Sequence, residues 1–138
     1  MNHREQGLTL IEAMVALAVF AIGSLGILSI YLETFSSAQQ NQDLTSGYEI
    51  AQSAMGVLRA NGANALKLNG ATITPSQASN SLLSPVSQVM SAYGMPENSK
   101  VTLAVSALDG GGQCPCTATV SVGWGAGRQY STQSVVGY

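Results

Sequence analysis

The chain has 138 residues, of which 46% are apolar and only 9% are charged, whereas a soluble domain usually carries about a quarter charged residues. Its net charge of -2 comes from 5 Lys and Arg against 7 Asp and Glu, which argues against nucleic acid as the main partner because counterion release needs many clustered cations. The only histidine is His3, so removal of the N-terminus would leave no imidazole for catalysis or zinc binding. The two cysteines are too few for a Cys-only metal cage, and no catalytic residue, metal or cofactor is expected.

The first predicted element is an apolar helix over residues 13–32, a run of 20 residues without a charged side chain. At about 1.5 Å per residue, a helix of this length matches the roughly 30 Å hydrocarbon core of a bilayer. A signal peptide has a shorter apolar region followed by a small-residue cleavage site, which this chain lacks. The run therefore predicts a membrane anchor, with a buried core helix as the alternative. Arg4 before the run and Glu33 after it favour a cytoplasmic N-terminus.

A short polar leader, residues 1–6, is followed by a six-residue motif composed of Gly7, Leu8, Thr9, Leu10, Ile11 and Glu12. This motif, with the apolar run directly behind it, resembles the prepilin processing motif of type IV pilins and of type II secretion pseudopilins. Residues 12–17 and 21–26 look most like those of PilV-type minor pilins. The close resemblance covers residues 1–35, and beyond them only the architecture is shared.

The resemblance implies that this protein is the substrate of a processing enzyme. Prepilin peptidase, a membrane aspartyl protease, would cut between Gly7 and Leu8 on the cytoplasmic side and N-methylate Leu8. Glycine fits the position before the cut because it has no Cβ to obstruct close approach of the enzyme. Leu8 departs from the phenylalanine that is commoner in the family at the new N-terminus. Thr9, Leu10 and Ile11 belong to the same processing motif.

Glu12 stands out because it places a carboxylate at the edge of the apolar run. Such a group costs about 2.5–3.5 kcal/mol on insertion scales unless it is paired. Taken alone, it could be an interfacial residue that the helix dipole favours. With the motif in view, the resemblance implies that Glu12 pairs with the N-terminal amine of a neighbouring subunit. That pair would offset desolvation of both charges and set the axial register of the subunits.

Gly23 and Gly26 lie inside the apolar run. Two interpretations remain open for them: small surfaces for close helix packing, or a point where the helix can unwind, as the family's filaments do in this region. The family often has a proline slightly further along, where this chain has Ser29.

The helix is expected to continue to residue 60, giving 53 residues from Leu8 and a length of about 80 Å. Asn61 and Gly62 read as its end. The second half carries a predicted amphipathic stripe at spacings of three and four residues: Leu44, Tyr48, Ala51, Met55 and Leu58.

Residues 61–99 are predicted to be a long connection with one short helix that begins at Ser84 and Pro85 and ends at Gly94. Three alternating runs, residues 101–107, 118–124 and 130–136, predict antiparallel strands joined by glycine-rich turns. The fold class is therefore α+β, the type IV pilin fold, with a long N-terminal helix packed on a small antiparallel sheet of about three to four strands. Trp124 is expected in the core or on the face of the sheet.

Cys114 and Cys116 are separated by one proline. Export to an oxidising compartment and an even cysteine count favour a disulfide between them. Because a C-x-C bridge closes a very small ring, free thiols or intermolecular bonds stay open as alternatives. A CxxC redox motif is absent.

These elements divide the chain into a leader (1–7), a transmembrane and filament-core helix (8–33) and a periplasmic head (34–138). The head contains the amphipathic helix (34–60), the connection (61–99) and the sheet (100–138). The resemblance implies a minor pilin that is held in the bacterial inner membrane by a single pass and then built into a pilus on the cell surface. It would help to prime pilus assembly and support adhesion or twitching motility.

The implied partners are prepilin peptidase, other major and minor pilins, the assembly platform of the inner membrane and a tip adhesin. The first alternative is a minor pseudopilin of type II secretion. A DNA-uptake pilin or a plain membrane-anchored binding module is the second, although the cations are too few and scattered for a strong nucleic-acid surface. An enzyme fits least well, because no nucleophile has a base within a recognisable motif.

Overall fold

A computed structural model describes residues 9–125 and 127–137 of the chain. It contains two α-helices, α1 (Leu10–Asn61) and α2 (Ser84–Ala92), and two 3₁₀ helices, Gly62–Leu68 and Ser81–Leu83. Its four strands are β1 (Thr72–Ile73), β2 (Lys100–Ala107), β3 (Cys116–Trp124) and β4 (Arg128–Val136). The predicted α+β class is confirmed. Two compact units, residues 1–41 and residues 42–138, are described separately below.

The four strands form one antiparallel sheet in the order β1-β2-β3-β4. The three strands predicted from alternating side chains are confirmed, and inward-facing positions on β2 and β3 are buried while their neighbours are not. Period-two alternation with glycine turns is a strong sequence signal for antiparallel strands, because one face of the sheet must be apolar to cover the core. Gly125 and Gly127, between β3 and β4, both have positive φ angles, 42° and 75°.

The stretch expected to be one long connection with a single short helix is more ordered than predicted. Gly70 N donates to Leu103 O at 2.9 Å, and Leu103 N donates to Ala71 O at 3.0 Å. The Asn69 side chain accepts a further bond from Val105 N at 2.9 Å. These bonds attach the stretch to β2 and create β1, which supplies the fourth strand.

The short helix α2 begins at Ser84 as predicted, but Ser84 does not cap it. No side-chain cap is found at its start, and the preceding 3₁₀ turn runs directly into it. The Asn80 side chain caps that turn by accepting from Leu82 N at 3.0 Å. Gly94, with φ of 63°, ends the helix as expected.

The core of residues 42–138 lies between the second half of α1 and the inner face of the sheet. Its members are at most 4% exposed, and burying each large aliphatic side chain contributes about 1.5–3 kcal/mol. The α1 side chains in this core are Ile50, Ala51, Ala54, Met55 and Leu58, and those of β2 and β3 include Val101, Leu103, Val105, Ala118, Val120, Val122 and Trp124.

The stripe predicted on α1 is correct for its last three members and wrong for the first two. Leu44 and Tyr48 are 49% and 45% exposed, and Gly47 is buried instead. The cause is Trp124, whose indole packs against Gly47: a Cβ built there would lie 2.7 Å from Trp124 Cζ3 and 2.8 Å from Cη2. Tyr48 packs edge-on against Tyr130, with ring centroids 6.0 Å apart.

Replacing Gly47 should therefore destabilise the protein. Gly47→Ala forces a methyl group into the Trp124 ring, and overpacking of this kind costs about 1–3 kcal/mol. Gly56→Ala is the matched control on the same helix, because its Cβ would meet nothing within 4 Å and removal of a helical glycine gains up to about 1 kcal/mol. Chemical unfolding of the detergent-solubilised chain, followed through tryptophan fluorescence, measures both. Equal stability of the two variants would contradict the packing described here.

Candidate functional site

The start of α1 lies inside the predicted processing motif. Thr9 precedes the first helical residue, Leu10, and its carbonyl accepts the first helical bond from Ala13 N at 3.2 Å. The Thr9 hydroxyl accepts from Glu12 N at 3.4 Å. Thr9 is thus the N-cap and Glu12 the third helical residue, the Thr-x-x-Glu spacing of a capping box. The helix begins two residues later than predicted, and the leader (1–7), Gly7 and Leu8 lie outside the described residues.

This capping role was missed when Thr9 was assigned only to the processing motif. The signal was present, because threonine followed three residues later by glutamate before an apolar run is a typical helix start. The same residues therefore serve two purposes: they resemble a recognition sequence for a peptidase, and they fix where the helix begins.

Glu12 is exposed in the first turn of α1, where the positive end of the helix dipole favours a carboxylate. Among the described residues the one salt bridge joins Asp43 and Arg128, so Glu12 has no cationic partner there. The helix dipole stabilises an exposed carboxylate near a helix end by about 0.3–1 kcal/mol. Inserting a carboxylate into a membrane helix costs more, about 2.5–3.5 kcal/mol.

The helix around Glu12 exposes an unbroken apolar surface. The most apolar 18-residue window of this helix has a mean hydropathy of 2.4, and none of it is buried. By length and composition it is the one helix within the described residues that could cross a membrane. A surface of this size requires lipid or other protein to cover it. Its large exposed side chains include Leu10, Ile11, Leu17, Phe20, Ile22, Leu25, Ile30 and Leu32.

Three serine and threonine hydroxyl groups along this surface are satisfied within the helix. Ser24, Ser29 and Thr34 each donate to a backbone carbonyl three or four residues earlier, at 2.8, 2.7 and 2.9 Å. Hydroxyl groups bonded in this way tolerate an apolar medium because no donor is left unpaired. Glu12 is the one charged side chain among residues 10–32.

Gly23 and Gly26 are both helical, and a Cβ at either would meet no atom within 4 Å. The helix is thus continuous through them in the single chain. Both interpretations of the two glycines, packing and local unwinding, concern the assembled state and stay predictions.

Cys114 and Cys116 form a disulfide with an S–S distance of 2.04 Å. Cys116 is the first residue of β3 and is fully buried, whereas Cys114 is half-buried. Both cysteines belong to residues 42–138, so the disulfide is a feature of the head and not of the motif at the helix start.

The chain matches the family described as Prokaryotic N-terminal methylation motif over residues 2–28. No curated protein and no solved structure matches it. The match covers residues 2–7 of the predicted leader, the motif around Glu12 and most of the apolar run. It indicates a type IV pilin-like or pseudopilin-like protein. The motif implies processing by prepilin peptidase and assembly with other pilins in a membrane system, and its family is structural and not known as enzymes.

The cap at Thr9 can be tested apart from processing. Thr9→Ala removes the oxygen that accepts from Glu12 N, which should cost about 1 kcal/mol of local helix stability. Thr9→Ser keeps the oxygen and is the matched control. Amide hydrogen exchange at Glu12, measured by NMR in detergent micelles, should be about fivefold faster in the alanine variant only. Unchanged exchange in Thr9→Ala would show that the hydroxyl does not cap the helix.

Proposed function

We propose that this protein is a minor pilin of a bacterial type IV pilus. Prepilin peptidase cuts it between Gly7 and Leu8 and methylates the new amine of Leu8, and the apolar helix then inserts into the filament core. The observation that carries this proposal is an exposed apolar segment at the start of α1 with one carboxylate, Glu12, in its first turn. That carboxylate lies within the matched methylation motif, residues 2–28. The likeness of residues 12–17 and 21–26 to PilV-type pilins favours the pilus over type II secretion.

Cleavage creates the charge that Glu12 lacks. Removal of residues 1–7 leaves a free amine at Leu8, one residue before the cap at Thr9 and four residues before Glu12. When helices pack side by side, the amine of one subunit pairs with Glu12 of its neighbour. Such a pair is favoured in a dry bundle because either charge alone is strongly destabilised. A slip of one helical turn would leave both unpaired, so the pair also sets the register.

The proposed route begins in the inner membrane, with the N-terminus in the cytoplasm and the head, residues 34–138, in the periplasm. The charge asymmetry between Arg4 and Glu33 supports this orientation. Major and minor pilins and the assembly platform are the partners of the helix, and a tip adhesin is a partner of the head. In this role the protein helps to prime assembly and supports adhesion or twitching motility, and it catalyses no reaction of its own.

Processing can be tested at Gly7. Gly7→Val places a branched side chain where the peptidase must approach the backbone, so the chain should accumulate as uncut precursor. Gly23→Val is the matched control, because the same change there meets open space on the helix and lies outside the cleavage motif. Mass spectrometry of the N-terminal peptide distinguishes Met1 from methylated Leu8. Normal maturation of Gly7→Val would contradict the cleavage site.

Assembly can be tested at Glu12. Glu12→Gln keeps the size of the side chain and removes its charge. The chain should be cut normally but should enter sheared filaments at about a tenth of the wild-type level or less, because breaking a buried pair costs about 3–5 kcal/mol. Glu33→Gln, at the far end of the apolar run, should assemble normally. Immunoblots of membrane and pilus fractions measure how much of each variant enters the filaments. Equal incorporation of both variants would contradict the proposed pairing of Glu12 with a neighbouring amine.

A further inference from the structure

The two edges of the sheet are protected very differently. At one edge, β1 has two residues, and the turn that follows it bonds to its outer side. Ser79 N donates to Thr72 O at 3.0 Å, and Thr72 N donates to the Ser79 hydroxyl at 3.0 Å. At the other edge, β4 has nine residues, and β3 is the one strand that pairs with it within the described residues. An open edge of this length can pair with another chain.

The hydrogen bonds of β2 establish which way the backbone groups of its neighbour β3 point. Leu103 N donates to Ala71 O, and Leu103 O accepts from Gly70 N, so both backbone groups of Leu103 point away from β3. In an antiparallel ladder, two residues directly opposite each other exchange both bonds or neither. Val120, which lies opposite Leu103, therefore directs both of its backbone groups to β4.

The same alternation identifies the free backbone groups of β4. Thr132 lies opposite Val120 and exchanges both bonds with it. Gln129, Ser131 and Gln133 therefore direct their N–H and C=O groups to the open side. All three residues are exposed, and no described residue forms a backbone hydrogen bond with them from that side.

The sequence of β4 lacks the features that usually block an open edge, which are charged side chains, proline and bulges. Residues 129–136 contain no charged side chain and no proline. Their pairing with β3 is continuous, without a bulge. Arg128, at the start of the strand, is bonded to Asp43. An unblocked edge of this kind is a template for an added strand.

Apolar side chains beside this edge are incompletely covered. Tyr130 lies opposite Val122, a core residue, yet is only half-buried, and the ring of Tyr48 packs edge-on against it. Leu44 lies one helical turn before Tyr48 on α1, and the two are 49% and 45% exposed. Alternate side chains of a further strand would lie on the same face as Tyr130. The sheet is thus too narrow to cover the whole stripe predicted on α1.

We propose that the open edge of β4 binds an extended segment of a different pilin subunit, which adds to the sheet as a fifth strand. The backbone bonds to residues 129–133 supply affinity, and the side chains select the segment. That segment carries apolar side chains on the face of Tyr130 and uncharged polar ones on the outer face, beside Gln129 and Gln133. The docking rests on the proposed function, because assembly places another subunit beside the head.

The test uses the full-length chain in cells that assemble filaments. The photo-crosslinker benzoylphenylalanine replaces Gln129 in one version and Gln133 in another, and mass spectrometry maps the partner residue that each version joins. The two positions lie about 13 Å apart along β4. On an added strand the two joined residues should be about four positions apart, whereas on a helix they would be about nine apart.

The backbone bond is tested by Ser131→Pro, which removes one outward N–H and leaves the bonds to β3 in place, as edge strands tolerate. It should reduce both crosslinked products about fivefold, the loss expected for one hydrogen bond. Ser131→Ala is the matched control, because both variants lose the hydroxyl contact with Ser121 at 3.1 Å and only the proline variant loses the N–H. The alanine variant should keep both products. If thermal unfolding shows that the proline variant does not fold, the spacing of the joined residues alone decides.

Three results would overturn the docking, whichever N-terminus is found: absence of the products, joined residues at helical spacing, or joining to a second copy of this chain. Equal products from folded Ser131→Pro and Ser131→Ala would do the same. The mature N-terminus is read in the same samples. An uncut chain counts against the proposed function, whereas a cut chain in filaments without the spaced crosslinks counts against the docking alone.

Discussion

One unpaired carboxylate on an apolar helix is the constraint from which the proposed biology follows. The helix dipole stabilises the Glu12 carboxylate in the first turn, but by less free energy than an unpaired charge costs in an apolar environment. The serine and threonine hydroxyls behind it satisfy themselves within the helix. Lipid or other helices can therefore cover most of this surface, and the proposed pairing supplies the cation that Glu12 lacks among the described residues.

The cap at Thr9 links this constraint to the chemistry of cleavage. The helix begins at Leu10 with Thr9 as its cap, so the proposed cut between Gly7 and Leu8 precedes the helix in the sequence. In the sequence, the proposed cut lies one residue before the cap, and Glu12 lies in the first turn of the helix.

Sequence alone was sufficient for features that depend on local patterns. The strands of the head follow from alternation and glycine turns, and the end of the long helix follows from Asn61 and Gly62. The start was predicted two residues too early, although the spacing of Thr9 and Glu12 carried the signal. Features that depend on contacts between residues far apart in the sequence could not be predicted from it. Leu44 and Tyr48 fit a helical stripe as well as Gly47 does, and only the indole of Trp124, far along the chain, decides which face is buried. Similarly, β1 exists because Asn69 and Gly70 bond to β2, which no local propensity specifies.

The few charges of the head contribute little to its stability. The pair of Asp43 and Arg128 is partly exposed, with side chains 38% and 47% accessible, and pairs of this kind contribute at most about 1 kcal/mol. The core instead depends on aliphatic side chains and on the fit of Trp124 against Gly47.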